Sequence, residues 1–217
     1  MFPIYDLGRI DFLTALNFQK DIFLKVKNKI ISSAIILCEH LPVITLGRLS
    51  TDEDLIFKEE IKKSNIGIFK IDRGGKTTYH GPGQLVIYFI FDLNFFHKDL
   101  HRFLEWLEEL GVLFLDKFGI SANLYKGLRG VWIENKKIIS IGIGVKNWIT
   151  YHGMSINIKN EVLENFSLIK PCGLDVEMTS LEEVLKREVS LSEAKEKFLS
   201  CIKKGEFYGK SNFARIG

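Results

Sequence analysis

The sequence predicts a single α+β domain over residues 1–217, with a mixed, largely antiparallel sheet and flanking helices. Apolar runs of strand length recur between longer segments whose apolar residues repeat at helical spacing. Two apolar runs around a short polar tetrad are typical of a β-hairpin. The sequence has no internal repeat, low-complexity stretch or Pro/Gly/Ser-rich linker that would mark a domain boundary. These observations favour one continuous core.

The first predicted element is a helix from Asp11 to Ile31, with Asp11 as its N-cap. The next predicted elements are a buried strand at 34–38, a charged amphipathic piece at 57–64, and strands at 66–71 and 85–91. After these come a helix at 97–118, a hairpin whose strands 130–133 and 138–145 flank the tetrad 134–137, further strand at 148–158, and helices at 180–187 and 190–204. Ser180 and Ser190 are start signals for the last two helices.

Composition excludes several classes of protein. Hydrophobic residues make up 46% of the 217 residues, which is enough for a buried core, and the formal charge of +3 is too small and too dispersed for a nucleic-acid footprint. The N-terminus lacks the pattern of a signal peptide, and no uncharged apolar run approaches the roughly 20 residues that span a bilayer. Three widely spaced cysteines argue against a disulfide framework or a zinc knuckle. We therefore expect a cytoplasmic protein that binds neither nucleic acid nor membranes.

The most informative segment is the run Arg73–Gln84, which has no aliphatic side chain and separates two apolar strands. Long ordered loops in compact domains are usually functional, so this run predicts a site. Its Gly75-Lys76-Thr77 is not a phosphate-binding P-loop, because Lys70 stands where the first glycine is required. Gly142-Ile143-Gly144 lacks the third glycine of a dinucleotide-binding fingerprint.

The histidines give weaker signals. His97 and His101 have the spacing of a zinc-protease helix, but Lys98 replaces the glutamate that such a helix needs, so no metal site is expected. His80 and His152 each precede a glycine, and both are candidates to orient a substrate or to act as a general base. Local sequence does not choose between them.

One cysteine differs from the other two. Cys38 lies in an aliphatic strand and Cys201 in an amphipathic helix, and both are predicted to be core residues. Cys172 lies between Pro171 and Gly173, where the chain is expected to bend and expose the thiol, so it is the candidate nucleophile. Lys137, considered by itself, is typical of a surface lysine beside a hairpin turn.

Four segments carry a family resemblance: Arg73–Leu93, Lys137–Gly142, Tyr151–Asn157 and Pro171–Leu174. In order and spacing they resemble the octanoyltransferases of lipoate biosynthesis. Matches at 39–48 and 130–132 extend the resemblance over residues 34–181. It implies the fold shared by biotin and lipoate protein ligases, which agrees with the α+β domain predicted above.

The resemblance also implies an activity. The family is a lipoyl(octanoyl) transferase family, which moves an octanoyl group from acyl carrier protein to a lysine of a lipoyl domain, without ATP, metal or cofactor. The implied acceptors are the lipoyl domains of 2-oxoacid dehydrogenases and the glycine cleavage H protein. Cys172 takes the place of the nucleophile that forms a thioester, and Lys137 that of the lysine which assists it. The implied substrate-binding residues are Arg73, Gly74, Gly75, Lys76, Thr77, Thr78, Tyr79, His80, Ser140, Ile141, Gly142, Gly153, Met154 and Ser155.

Two positions depart from the family pattern. Phe89 replaces a proline that family members usually have in this strand, and Gly144 replaces an arginine that many of them carry. If that arginine helps to dock the carrier, then Lys146, Arg129 and Lys126 are the candidate cations to replace it.

Three other functions are weighed against this one. An ATP-dependent lipoate or biotin protein ligase is the alternative within the same fold, and Cys172 speaks against it because such a ligase needs no cysteine nucleophile. A non-catalytic acyl- or lipoyl-binding module and a cysteine hydrolase with His80 or His152 as its base are the alternatives from other classes.

Overall fold

The computed structural model describes residues 2–64, 66–169, 176–204 and 215–216. The strands in these residues are β1 (Ile4–Ile10), β2 (Ser33–His40), β3 (Val43–Leu46), β4 (Gly67–Lys70), β5 (Thr77–His80), β6 (Gln84–Phe91), β7 (Asn123–Tyr125), β8 (Leu128–Ile133), β9 (Lys136–Lys146), β10 (Ile149–Asn157) and β11 (Arg215–Ile216). The helices are α1 (Phe12–Lys27), α2 (Lys58–Lys63), α3 (Leu100–Asp116), α4 (Glu161–Glu164), α5 (Leu181–Leu185) and α6 (Leu191–Lys204).

The described strands form two sheets. The large sheet has the order β1-β2-β6-β10-β9-β8-β7-β11, and the small sheet has the order β4-β3-β5. In the large sheet, only β1 with β2 and β11 with β7 are parallel, whereas in the small sheet β3 is parallel to β4 and antiparallel to β5. The predicted mixed, largely antiparallel sheet with flanking helices is therefore confirmed.

Helices cover both faces of the large sheet, so its central strands are buried on both sides. Helices α3 and α6 pack together against one face, and α1 packs against the other. Along β2, Ile35 and Leu37 belong to the core beneath α3, while Ile36 and Cys38 belong to the core beneath α1. Burial on both faces explains why β2 and β6 appear in the sequence as continuous apolar runs.

The predicted helix starts have the expected capping groups. The Asp11 carboxylate accepts a hydrogen bond from the Thr14 N–H at 3.0 Å, and the Ser180 hydroxyl accepts one from the Glu183 N–H at 3.1 Å. Helix α1 ends at Lys27, earlier than Ile31, because the chain turns at Asn28 and Lys29, the latter at φ 58°. Each N-cap satisfies an amide that the helix itself leaves without a partner.

Two expectations about local structure were wrong, and one strand was not predicted. The run Arg73–Gln84 is not one continuous loop, because its residues 77–80 form β5 and pair with β3. His97 does not lie on the face of a helix with His101; it has a left-handed backbone and precedes α3. The N-terminal strand β1 was not predicted, since its half-exposed residues alternate only weakly between apolar and polar.

No helix in the described residues has the length and apolar character needed to cross a bilayer.

Candidate active site

The segment between β4 and β5 is anchored by Arg73, which is 7% exposed. Its Nη2 donates hydrogen bonds to the Thr45 carbonyl oxygen at 2.9 Å and to Thr45 Oγ1 at 3.0 Å, and its Nη1 donates to the Gly74 carbonyl oxygen at 3.0 Å. The backbone adds two bonds, from the Arg48 N–H to the Arg73 carbonyl and from the Leu49 N–H to the Gly75 carbonyl. A buried guanidinium thus holds this segment against the small sheet.

A row of small residues lies opposite this segment, in β9 and β10. Ser140 pairs directly with Ser155, and Gly142 pairs with Gly153. A Cβ added at Gly142 would lie 3.0 Å from Arg73 Cδ, so the arginine side chain passes directly over that glycine. The small side chains leave a floor on which a ligand approaches the backbone closely.

A cavity of ≈ 60 Å³ lies between the Arg73 segment and this floor. Twelve of the fourteen predicted substrate-binding residues line it, all except Gly74 and Tyr79. Gly74 closes one side, because its N–H donates to the Ile143 carbonyl at 2.8 Å. Tyr79 lies in a different cluster and packs against Phe166, with ring centroids 5.9 Å apart. The cavity therefore gathers residues from three of the four motif segments.

The cavity also has lining residues that sequence reasoning missed: Phe12, Ile71, Val86 and Tyr88. His152, a candidate from the sequence, lines it as well. Phe12 comes from the first turn of α1, where an apolar residue gives no signal beyond core packing. These side chains make the cavity partly apolar.

Lys137 lies at the start of β9 and is only 2% exposed. Its Nζ lies 4.7 Å from the centroid of the Trp132 ring, which is close enough for a cation–π interaction. Val131 and Ile139 belong to the core beneath α3, so their strand neighbours Trp132 and Ser140 lie on the opposite face of the sheet. Because its Nζ lies over the Trp132 ring, Lys137 shares the face that forms the cavity floor.

The backbone of Lys137 is bonded to the segment that follows the predicted nucleophile. Its N–H donates to the Glu177 carbonyl at 2.8 Å, and its carbonyl accepts from the Thr179 N–H at 3.0 Å. Cys172 itself lies outside the described residues; in sequence it is five residues before Glu177 and three after Ile169. Cys38 and Cys201 are buried, as predicted, and burial raises the pKa of the Cys38 thiol far above its usual range.

A chain of buried hydrogen bonds joins three of the motif segments. His80 Nδ1 bonds Gln84 Oε1 at 2.7 Å, Gln84 Nε2 donates to Asn157 Oδ1 at 2.9 Å, and Asn157 Nδ2 donates to the Thr179 carbonyl at 3.0 Å. Because the Thr179 N–H in turn donates to the Lys137 carbonyl, the chain runs from the cavity wall to the lysine.

Three histidines beside the cavity are held in the neutral form. Burial lowers the pKa of His40 and of His152, and lowers that of His80 to about 3. His40 Nδ1 bonds the Ile10 carbonyl, so its Nε2 is the acceptor for the Tyr88 hydroxyl at 2.5 Å. A neutral imidazole is the form that accepts a proton.

A second, wider groove of ≈ 850 Å³ lies beyond His152, between α1, the segment 70–72 and the turn joining β9 to β10. Its cationic lining residues are Lys20, Lys27, Arg48, Lys70 and Lys146. Among the three cations expected to replace the family arginine, Lys146 lines this groove. Arg129 pairs with the buried Glu108 at 3.0 Å.

The Tyr151 ring occupies the space above Gly144, where a Cβ would collide with it. The Tyr151 hydroxyl donates to Asp72 Oδ2 at 2.5 Å, and His152 Nε2 lies 3.6 Å from Asp72 Oδ1. The contact with His152, which has the larger effect, and the hydrogen bond from Tyr151 hold the pKa of the Asp72 carboxyl well below its usual range. At Gly144, a tyrosine ring therefore takes the place of the absent side chain.

This chain is similar in sequence to known proteins. Residues 11–203 match the family of lipoyl protein ligase A/B catalytic domains. The chain belongs to this family. A curated octanoyltransferase from Caldicellulosiruptor bescii is 40% identical over 209 residues, which cover 94% of this chain and 90% of that protein.

Two solved structures are similar in fold. A lipoate-protein ligase A bound with ATP has a TM-score of 0.74 at 14% identity, covering 94% of this chain and 85% of that one. An apo biotin protein ligase from Aquifex aeolicus has a TM-score of 0.51 at 14% identity, covering 94% and 67%. The predicted fold, the resemblance to octanoyltransferases and the assignment as an acyltransferase are confirmed.

Proposed function

We propose that this protein transfers an octanoyl or lipoyl group from acyl carrier protein to a lysine of a lipoyl domain, through a thioester on Cys172 and without ATP. The acceptors are the lipoyl domains of 2-oxoacid dehydrogenases and the glycine cleavage H protein. Relatives named octanoyltransferase support the transferred group. The observation that carries the proposal is the position of Lys137, buried on the face of the cavity floor and bonded to the segment after Cys172.

Chain length supports the pairing of Lys137 with Cys172. Cys172 is five residues before Glu177, whose carbonyl accepts a hydrogen bond from the Lys137 N–H, and a stretch of five residues spans at most about 18 Å. On the other side of Cys172 in the sequence, Ile169, three residues before it, pairs with Leu55. A cation beside a thiol stabilises the thiolate, which is the reactive form.

The reaction has two steps. In the first, the Cys172 thiolate attacks the carrier thioester, a new C–S bond forms, the old C–S bond breaks, and the carrier thiol leaves with the proton that Cys172 gave up. In the second, the acceptor lysine amine attacks the acyl-enzyme, a C–N bond forms, and Cys172 leaves as a thiol after taking the amine proton. Lys137 relays the proton within each step, from Cys172 to the carrier thiol in the first and from the acceptor amine to Cys172 in the second.

The acyl chain fits the apolar part of the cavity once the walls open. At ≈ 60 Å³ the cavity holds only about two water molecules. Met154 is the lining residue best suited to move, because its unbranched side chain adapts to irregular space. Each methylene buried there contributes about 0.8 kcal/mol.

The proposal is tested by intact-protein mass spectrometry after mixing the protein with octanoyl-acyl carrier protein in the absence of ATP. We expect a hydroxylamine-sensitive octanoyl adduct on the wild type, discharged by a lipoyl domain, and none on Cys172→Ala. Cys38→Ala is the matched control, since Cys38 is buried in the core beneath α1, and we expect it to form the adduct.

Other results would assign another function. Modification of the lipoyl domain only when octanoate and ATP are supplied, by wild type and Cys172→Ala alike, would make the protein a ligase, the alternative that the fold of the ATP-bound relative favours. Octanoate released into water without transfer would make it a hydrolase. Binding of the acyl carrier without any adduct or turnover would make it a binding module.

A further inference from the structure

The groove beyond His152 has the size of a binding site for a small molecule. Its volume of ≈ 850 Å³ falls within the range of about 300–1,000 Å³ that such sites occupy. None of the fourteen substrate-binding residues predicted from the family resemblance lines it. His152 pairs with Ile143, six residues along β9 from Lys137, which is about 20 Å at strand rise. The groove is therefore separate from the proposed reaction centre, and acyl transfer gives it no role.

The groove is positively charged. Five cations and one carboxylate line it, which gives it a formal charge of +4, whereas the whole chain has +3. The cations are Lys20, Lys27, Arg48, Lys70 and Lys146. Within the part of the chain that the structure describes, none of the five forms a salt bridge with a carboxylate. A cleft lined mostly by charges of one sign concentrates ions of the opposite sign, so the groove favours an anion.

The cations are spread over several elements rather than gathered at one point. Lys20 and Lys27 are seven residues apart on α1, about 10 Å at the rise of a helix. Lys70 ends β4 and Lys146 ends β9, so the small sheet and the large sheet both contribute. A single phosphate or carboxylate group contacts only some of these side chains, whereas a ligand with several anionic groups can contact most of them.

Two buried polar atoms of this groove have no hydrogen-bond partner among the described residues: Gln19 Nε2 and His152 Nε2. Gln19 is 2% and His152 3% exposed, and both residues line the groove. Because Gln19 Oε1 already accepts the His152 N–H at 3.1 Å, the amide nitrogen is the end of Gln19 that is left to donate. Buried polar groups without partners are rare, and a bound ligand explains them. Since both atoms lie beneath the outer surface, they favour a small ligand over a docked protein.

One side of the groove is apolar. Leu16, Phe23 and Leu24 line it from α1, and Leu24 is 50% exposed. The Tyr151 ring meets the Phe23 ring edge to face, with centroids 5.9 Å apart, and adds an aromatic surface. An inorganic ion would leave this surface in water, whereas the organic part of a ligand would cover it, which is favourable in free energy.

We propose that this groove is a second binding site, for an organic polyphosphate. The phosphate groups lie among the cations, and an apolar or aromatic part packs against α1 and Tyr151. Nucleoside triphosphates and coenzyme A both have this chemistry. The inference does not depend on the proposed acyl transfer.

The test is calorimetric titration of the protein with magnesium-free ATP, coenzyme A and sodium tripolyphosphate, at low ionic strength, where charges are least screened. The variants are Lys20→Glu and its matched control Lys25→Glu, an exposed lysine of the same helix that does not line the groove. We expect ATP, coenzyme A or both to bind the wild type, about tenfold more weakly to bind Lys20→Glu, and to bind Lys25→Glu within about twofold of the wild type. The tighter of the two organic ligands identifies the source of the polyphosphate.

A second pair of variants tests the apolar side. Leu24→Ala is compared with Leu13→Ala, since both leucines lie on α1 and are about half exposed, at 50% and 49%, but only Leu24 lines the groove. We expect Leu24→Ala to weaken the organic ligand on the order of threefold and to leave tripolyphosphate unchanged, because only the organic part loses contact. Leu13→Ala should bind both as the wild type does.

Four results would overturn the inference. The first is that neither organic ligand binds, and the second is that Lys20→Glu and Lys25→Glu weaken binding equally. The third is loss of binding in a folded Lys137→Met variant, which would place the ligand in the acyl cavity. The fourth is tighter binding of hexaglutamate than of either organic ligand, which would make the groove a surface for an acidic protein.

Discussion

Lys136 and Lys137 are neighbours in the chain but lie in opposite environments. Lys136 is partly exposed and bridges Glu177 and Glu183 on the surface, whereas Lys137 is buried over the Trp132 ring. Gly130 makes this possible, because a Cβ there would lie 3.1 Å from Lys137 Cε. Burying an ammonium group is unfavourable in free energy, which makes a buried lysine such as Lys137 a candidate functional residue.

Replacing the two lysines separately tests that function. Lys137→Met keeps an unbranched side chain over Trp132 but removes the charge, and we expect octanoyl transfer to fall by about 10²- to 10⁴-fold, the usual contribution of a positioned proton-transfer group. Lys136→Met removes only surface ion pairs, so transfer should change by less than about fivefold. Equal losses in the two variants would contradict a specific role for Lys137. Both are measured as single-turnover rates on protein of confirmed Tm.

Local sequence could not reveal the burial of Lys137. A lysine two residues beyond a hairpin turn is typical of the surface, and the residue is buried because the register of β8 and β9 shifts between Val131 and Trp132. The shift sets Lys137 opposite Trp132. A bulge of this kind is decided by packing between elements, so only the family resemblance singled out the lysine.

At the scale of elements, the buried chain from His80 through Gln84 and Asn157 to Thr179 joins β5, β6, β10 and the segment after Cys172. Gln84, Asn157 and Thr179 are each nearly inaccessible to solvent. A buried polar group destabilises the fold unless its hydrogen-bond partner is present, so this chain of hydrogen bonds fixes the four segments relative to one another.

This chain of hydrogen bonds predicts how substitutions at Gln84 and Asn157 combine in their effect on stability. In Asn157→Leu, the Thr179 carbonyl loses the bond from Asn157 and Gln84 Nε2 keeps only its longer bond to the Tyr79 carbonyl, at 3.4 Å. We expect the free energy of unfolding to fall by about 1–3 kcal/mol for each buried group left unsatisfied. In the Gln84→Leu/Asn157→Leu double variant one of those groups is gone, so the loss should be smaller than the sum of the single losses. Urea denaturation of all four proteins gives this coupling. Strict additivity would show that the two side chains act independently.

Elements with a clear period were predictable, and those formed by tertiary contact were not. The helix starting at Asp11 and the hairpin of β8 and β9 follow directly from local pattern. Strand β5 does not, since its four residues are flanked by glycines and become a strand by pairing with β3. The cavity lies between such elements, which is why Phe12 and Ile71 were missed although the motif residues opposite them were named.

At the scale of the whole molecule, the three buried histidines predict the dependence of stability on pH. The pKa values of His40, His80 and His152 are lowered in the folded protein, that of His80 to about 3, whereas unfolded histidine takes up a proton below about pH 6.5. The unfolded state thus binds more protons, and stability present above pH 6.5 is lost as pH falls below it.

We expect the free energy of unfolding to be lower at pH 5.5 than at pH 7.5, by about 1.4 kcal/mol from His80 alone, with His40 and His152 lowering it further in the same direction. The measurement is a series of urea titrations between these pH values. His80→Gln should have a smaller slope than the wild type, because one of the three groups no longer titrates. A wild-type stability that is flat across this range would show that these histidines are protonated in the folded state.

The burial of Cys38 and Cys201 has a practical consequence for following this protein in solution. An alkylating reagent applied to the native chain meets two thiols enclosed by packed side chains, and denaturant opens both. The difference between the labels counted before and after unfolding then counts the two buried thiols. We expect Cys172, which the sequence predicts to be exposed, to be the one thiol of the native protein that takes a fluorophore or an acyl-mimicking inhibitor.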